Sequence, residues 1–254
     1  MKSDALNVCS IAIAVAVFSA CSVCGAQGLP SESQKPAATK EEPREKPPAY
    51  VPPMRGAVAQ VRRVGGATRG WGDVEVPLTV VIAPDHTGLT VNPAPTLYWY
   101  LSRPTPFPFV VTVIEEDAVA PLIEHEVRPT AAPGFQNIAL REHGVSLKTD
   151  TDYEWSVAIV IDPLERSRDV IAQGTIRLVE RSPELKARSQ GRGNDDLGAV
   201  YAQSGLFYDA FDAFCQAIQS NPALDRPREM RRALLEQVAL PEVASIDAIP
   251  VSGK

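Results

Sequence analysis

Cysteine is scarce in this 254-residue chain: Cys9, Cys21 and Cys24 sit at the N-terminus, and only Cys215 lies beyond them. A lone thiol cannot close an intramolecular disulfide, so a mature chain without its N-terminal stretch must be stable from its core alone. Cys215 falls among apolar neighbours in a helical pattern and reads as a small buried side chain, not a nucleophile. Histidine is scarcer still. His86, His125 and His143 are scattered over different segments near Asp85, Glu124 and Glu126, and no two share ligand spacing on one element. That excludes the four-ligand pattern of a structural zinc site, and no metal or other cofactor is expected. There is no Gly-x-Ser-x-Gly turn, which removes the usual sign of a serine nucleophile. No apolar run approaches the ~20 residues of a membrane-spanning helix. A net charge of −6 argues against nucleic-acid binding.

What is present begins with a leader. Lys2 gives a thin positive start, Val8 to Ala20 is apolar, and small residues follow at Cys24-Gly25-Ala26. Residues 1–26 therefore read as a secretory signal cleaved after Ala26. The rival reading is cleavage before Cys21 with lipidation, since Ser19-Ala20 precede that cysteine. Residues 27–58, rich in Pro, Glu, Lys, Ser and Ala, bury too little surface to offset ordering and read as a disordered tether. Residues 59–75 form a Gly/Arg-rich lead-in. Arg62, Arg63 and Arg69 could meet an anion there, but no Lys-Ser/Thr ending completes a phosphate loop.

From Val76 to Val179 the hydrophobic period is two. Seven short strands are expected, at Val76–Ala83, Leu97–Leu101, Phe107–Val113, Leu122–Val127, Phe135–Leu140, Tyr153–Ile161 and Ile171–Val179. Their count and spacing suit an immunoglobulin-like antiparallel β-sandwich over residues 76–181. Within it, Leu147 followed by a polar turn and Tyr153-Glu-Trp155 predicts a tyrosine corner, the phenol bonding back to the turn. Trp99 and Trp155 are expected in the core.

After Pro183 the period changes. Leu197-Gly198-x-x-Tyr201, Gly205, Ala210, Phe214, Ala217 and Pro222 reproduce the spacing of one tetratricopeptide repeat, with Asn194 where tryptophan is usual. Residues 182–249 are thus expected to form a helical hairpin, with Tyr201, Phe207, Phe211 and Phe214 in its seam, and a capping helix near Pro227. A single repeat cannot bury its apolar face, so the hairpin should pack on the sandwich.

These motifs, in order, resemble the bacterial family described as domain of unknown function 928. The likeness rests on Gly88-Leu-Thr90, Pro95-Thr-Leu-Tyr-Trp-Tyr-Leu101, Tyr153-x-Trp155, Asp162-Pro-Leu-Glu-Arg-Ser167, Gly174-Thr-Ile-Arg177, Tyr201-Ala-Gln-Ser-Gly205 with Tyr208-Asp-Ala210, and Leu234-Leu-Glu-Gln-Val238. The resemblance implies an exported protein of this architecture and supplies no catalytic residues.

Two surface candidates remain. Glu115-Glu116-Asp117 at a strand end reads as a solvated turn that discourages edge pairing, rather than a carboxylate pair for acid–base work. Tyr98 and Tyr100 alternate with Leu97, Trp99 and Leu101 and must face away from them. Either they offer an aromatic interaction surface, with Arg69 as a further candidate, or the helices cover them. The combined expectation is a non-catalytic interaction or scaffold module of the periplasm or cell envelope, with a protein partner and an optional lipid anchor at Cys21. A small envelope hydrolase with its site between sandwich and hairpin, and a glycan-binding lectin-like domain, are the alternatives.

Overall fold

The computed structural model describes residues 49–53, 62–65, 76–128 and 132–247, so the leader, Cys21 and Arg69 lie outside the described residues. Among the described residues, nine strands precede five α-helices. The strands are β1 (Val64–Gly65), β2 (Thr79–Val81), β3 (Gly88–Thr90), β4 (Thr96–Leu101), β5 (Phe109–Glu115), β6 (Ile123–Val127), β7 (Gly134–Ala139), β8 (Asp152–Ile159) and β9 (Val170–Leu178). They form a four-stranded sheet, β1-β2-β4-β7, and a five-stranded sheet, β3-β9-β8-β5-β6.

Alternation places each side chain. On β9, Val170, Ala172, Ile176 and Leu178 are buried while Ile171, Gln173, Thr175 and Arg177 are more exposed. Phe109, Val111 and Val113 of β5 and Trp155, Val157 and Ile159 of β8 are fully buried, and they share one apolar core with Val81, Leu97, Trp99 and Leu101 of the smaller sheet. Trp99 meets Phe109 across the gap with ring centroids 6.2 Å apart.

All seven expected strands are present, with ends displaced by up to three residues from the expected bounds. Two were not foreseen. β1 has two residues and β3 three, too few to display a period. β3 also corrects the expectation of purely antiparallel pairing, because it runs parallel to β9. No crossover helix is needed: the chain between the two passes through both sheets before returning.

The tyrosine corner forms as expected. Tyr153 is buried and its hydroxyl accepts the Lys148 N–H at 3.1 Å, while Leu147 packs into the core and Asp150 takes a left-handed turn conformation at φ 56°. Replacing Tyr153 by phenylalanine keeps the ring but orphans that amide. The expected loss is about 1–2 kcal/mol, read as a lower urea midpoint at unchanged slope. An unchanged midpoint would show that the corner bond contributes nothing.

The helices are α1 (Pro183–Ser189), α2 (Asn194–Gln203), α3 (Phe207–Ser220), α4 (Asp225–Gln237) and α5 (Pro241–Asp247). The expected hairpin is α2 and α3, and the expected cap is α4, with Pro227 in its first turn. α1 and α5 are additions; each is seven residues, too short to show a helical period. Gly198 is required in the seam, since a Cβ there would stand 2.3 Å from Cε1 of the fully buried Phe214. Phe207 and Phe211 are buried with Phe214, and Tyr201 is half-buried.

One end of the expected tether is corrected. Tyr50 is buried, T-shaped against Phe207 at 6.0 Å, and its N–H donates to the Gln237 side chain at 2.6 Å. An aromatic ring flanked by prolines gains enough from burial to order its neighbours. The lead-in is corrected too: Val64 and Gly65 form β1. Arg63 donates to the Val238 and Ala239 carbonyls at 2.5 and 3.3 Å, capping the C-terminal end of α4 with a cation.

Candidate functional site

Tyr98 and Tyr100 do face away from the side chains between the sheets, and both are buried, Tyr98 beneath α3. Tyr98 donates from its hydroxyl to Asp212 Oδ1 at 2.7 Å and meets Phe211 edge-on at 5.2 Å. Burial and the Asp212 carboxylate raise the phenol above its ordinary pKa, and burial raises Asp212 as well. Tyr100 packs edge-on to Phe135. Both are therefore corrected from candidate surface to packed layer. The apolar face of α3 needed cover, and these rings supply it.

The face left open belongs to the larger sheet. A recess of about 500 Å³ lies at one end of it, lined by Thr87, Ile114, Glu115, Glu116, Asp117, Ala118, Asp152, Tyr153, Glu154, Thr175 and Arg177. Strand register builds it: Ile114, Glu154 and Thr175 are cross-strand neighbours, as are Asp152 and Arg177. The turn after β5 adds the rim, where Asp117 is held left-handed at φ 67°. Five carboxylates face a single guanidinium in this lining, so the recess favours a cationic partner group.

Its charges are partly organised. The Arg177 guanidinium forks onto both oxygens of Asp152, with Nε at 2.6 Å from Oδ1, and this contact raises the arginine's pKa. Lys148 donates to Glu115 at 2.8 Å from outside the lining, and Gln173 donates to Glu154 at 2.7 Å. The Thr175 hydroxyl oxygen is buried without a hydrogen-bond partner among the described residues. Glu115-Glu116-Asp117 was visible in the sequence. Asp152, Glu154, Thr175 and Arg177 were not, because strand register alone brings them together.

A smaller recess of about 210 Å³ lies between the sheets and α1–α2, where the hydrolase alternative placed its site. Its lining includes Ser182, Glu184, Arg188 and Ser204 beside Leu89, Val91 and Leu206. The polar groups there serve the helices. Ser182 Oγ accepts the Leu185 N–H as the α1 N-cap, and Arg188 donates to Gln203 and Ser204. Backbone and Ser182 bonds lower the Glu184 pKa.

One hydroxyl–imidazole–carboxylate array escaped the sequence reading. His86 Nε2 lies 2.9 Å from the Tyr50 hydroxyl, and Nδ1 lies 2.9 Å from Asp85 Oδ1. Burial, then the Asp85 charge, raises the Tyr50 phenol, which keeps its proton at neutral pH. A buried, protonated phenol stacked on His86 is a latch for residues 49–53, not a nucleophile. The other two imidazoles form a pair: His125 and His143 lie in ring contact, 4.3 Å between centroids.

A family model described as Domain of Unknown Function (DUF928) matches residues 64–247. No curated protein matches the chain.

Proposed function

We propose, from the premise that the chain belongs to the DUF928 family, that it is a non-catalytic interaction module of the bacterial envelope, docking a protein partner through the acidic recess. The carrying observation is the contrast between faces. The aromatic face at Tyr98 and Tyr100 is buried, whereas the larger sheet keeps an open recess with five carboxylates against one guanidinium. A lysine or arginine on a partner fits that charge and the free acceptor positions on Glu116 and Asp117. Export is supported by the leader-like first 26 residues and the Pro-rich segment after them.

An immunoglobulin-like sandwich is supported by the two strand orders and by the Tyr153 corner at the start of β8. A tetratricopeptide-like α2–α3 hairpin is supported by the Gly198–Phe214 contact. The lectin-like alternative needed Tyr98 and Tyr100 exposed, and their burial removes its premise.

The test is charge reversal. Glu116 and Asp117 are exposed, so the double change Glu116→Lys with Asp117→Asn, whose side chain tolerates the left-handed turn, should leave folding intact. Partners cross-linked to the wild-type chain in an envelope fraction should fall by about tenfold with the variant, and the wild-type interaction should weaken as salt is raised. Equal recovery from both proteins, or turnover of an envelope polymer by the wild type, overturns the proposal.

A further inference from the structure

The pair formed by His125 and His143 sits apart from the acidic recess. His125 lies on β6, opposite Val111 of β5. Since Val111 faces the core, His125 faces the same way, while Glu124 and Glu126 alternate outward and are exposed. β6 is the edge of the five-stranded sheet. His143 ends the 3-10 turn Leu140–His143 that directly follows β7, the edge of the four-stranded sheet. The two rings therefore meet at the mouth between the sheets, one supplied by each layer.

Their centroids are 4.3 Å apart with the planes inclined at 53°. His125 is partly buried and His143 exposed, so solvent reaches the pair. Among the described residues neither imidazole hydrogen-bonds a third group, which leaves the outer nitrogen lone pairs uncommitted. Two imidazoles holding one ion at ~2.0–2.1 Å from each nitrogen have centroids roughly 5 Å apart, close to the separation seen. A small opening of the rings about χ1 and χ2 admits the ion. Both donors sit on backbone fixed by strand pairing or by the turn's Gly144 cap, so little order must be gained on binding.

We propose that His125 and His143 form a two-imidazole chelate for a late first-row divalent cation, clipping the two sheets together at their open edge. No group of three or more ligating side chains gathers among the described residues. Water accordingly completes the coordination, and the site is open and exchangeable rather than structural. Imidazole donors favour Cu²⁺ over Zn²⁺ in the usual order of affinities. Protons and the cation compete for the same ring nitrogens.

The test uses the untagged full chain. Cu²⁺ should bind with one-to-one stoichiometry and give an electron paramagnetic resonance spectrum with hyperfine coupling to two imidazole nitrogens. Excess Zn²⁺ should raise Tm through preferential binding to the folded state. His125→Ala and His143→Ala should each weaken Cu²⁺ binding by more than about tenfold, since losing even a supporting partner of a ligand costs that much. His86→Gln, at the remote latch, should leave it unchanged. The spectrum is read on the wild type, so it stands even if a variant misfolds. Coupling to one nitrogen or none, or binding that follows His86 instead, overturns the chelate. None of these outcomes bears on the acidic recess, which is tested separately.

Discussion

Tyr208→Ala is expected to lower stability by about 4 kcal/mol or more, the cost of emptying a large buried aromatic site. In a unit of this size that corresponds to a fall in Tm of roughly 10 °C. Tyr208 is the point where α3 enters the sheets. It is buried, with Trp155 edge-on at 6.5 Å and Phe207 at 5.5 Å. Its hydroxyl accepts the Trp155 indole N–H at 2.9 Å and donates to the Thr175 carbonyl at 2.9 Å. Truncation thus leaves a cavity, an indole donor and a strand carbonyl unsatisfied together. Gly88 is matched to the same ring: a Cβ there would stand 2.5 Å from Tyr208 Cε2.

Tyr208→Phe separates the two contributions. It preserves the ring and removes only the hydroxyl, so the expected cost is about 1–3 kcal/mol. Intrinsic tryptophan fluorescence and urea unfolding of both variants decide the matter. If Tyr208→Ala unfolds in two separate steps, the helices and sheets are independent units and the shared core is not cooperative. A single, displaced transition is expected, because Trp155, Tyr208 and Phe211 belong to one continuous apolar cluster. An Ala variant as stable as the wild type would contradict that packing outright.

How much of this was legible beforehand follows from the physics of each signal. Long alternating runs, such as Val170–Leu178 and Asp152–Ile159, announce themselves because burial repeats every second residue. The corner was readable because Leu147, the turn and Tyr153 are local in sequence. The α2–α3 seam was readable for the same reason, through Gly198 and Phe214. β3 was not, since three residues carry no period and its parallel pairing with β9 spans most of the domain. Tyr208 was visible as a motif residue, yet its role depends on Trp155, 53 positions away. The recess shows the same divide. Its rim, Glu115-Glu116-Asp117, is contiguous, whereas its floor is assembled by register across β5, β8 and β9. His125 and His143 share no ligand spacing on one element; the two layers bring them together from two edges.

Stability should also fall as pH rises from about 4 to about 6, and Asp209 should account for much of the change. Asp209 lies in the first turn of α3, where its carboxylate accepts the Val91 N–H at 3.0 Å and is supported by the Thr90 hydroxyl. That bond ties α3 to the end of β3. Desolvation pushes the carboxyl from its ordinary 3.8 up to about 6, against the opposing pull of those bonds and of the Arg181 charge. The folded state thus binds the proton more tightly than the unfolded chain does. Between the two values the native form carries more protons, so stability decreases with rising pH across that window. A shift of this size is worth about 3 kcal/mol. Asp85 acts in the opposite direction, because its His86 contact lowers its pKa, and that contribution is lost only as pH falls further. Asp212 is raised by burial and adds to the same trend as Asp209. The wild-type slope alone is therefore composite, and the difference from Asp209→Asn isolates one group. The amide keeps an acceptor for Val91 and cannot ionise. Asp209→Asn should gain on the wild type by about 2–3 kcal/mol between pH 4 and pH 7, measured by urea unfolding at each pH. A difference that stays constant over that range would mean the carboxylate is solvated in the folded protein and does not pin α3 to the sheet.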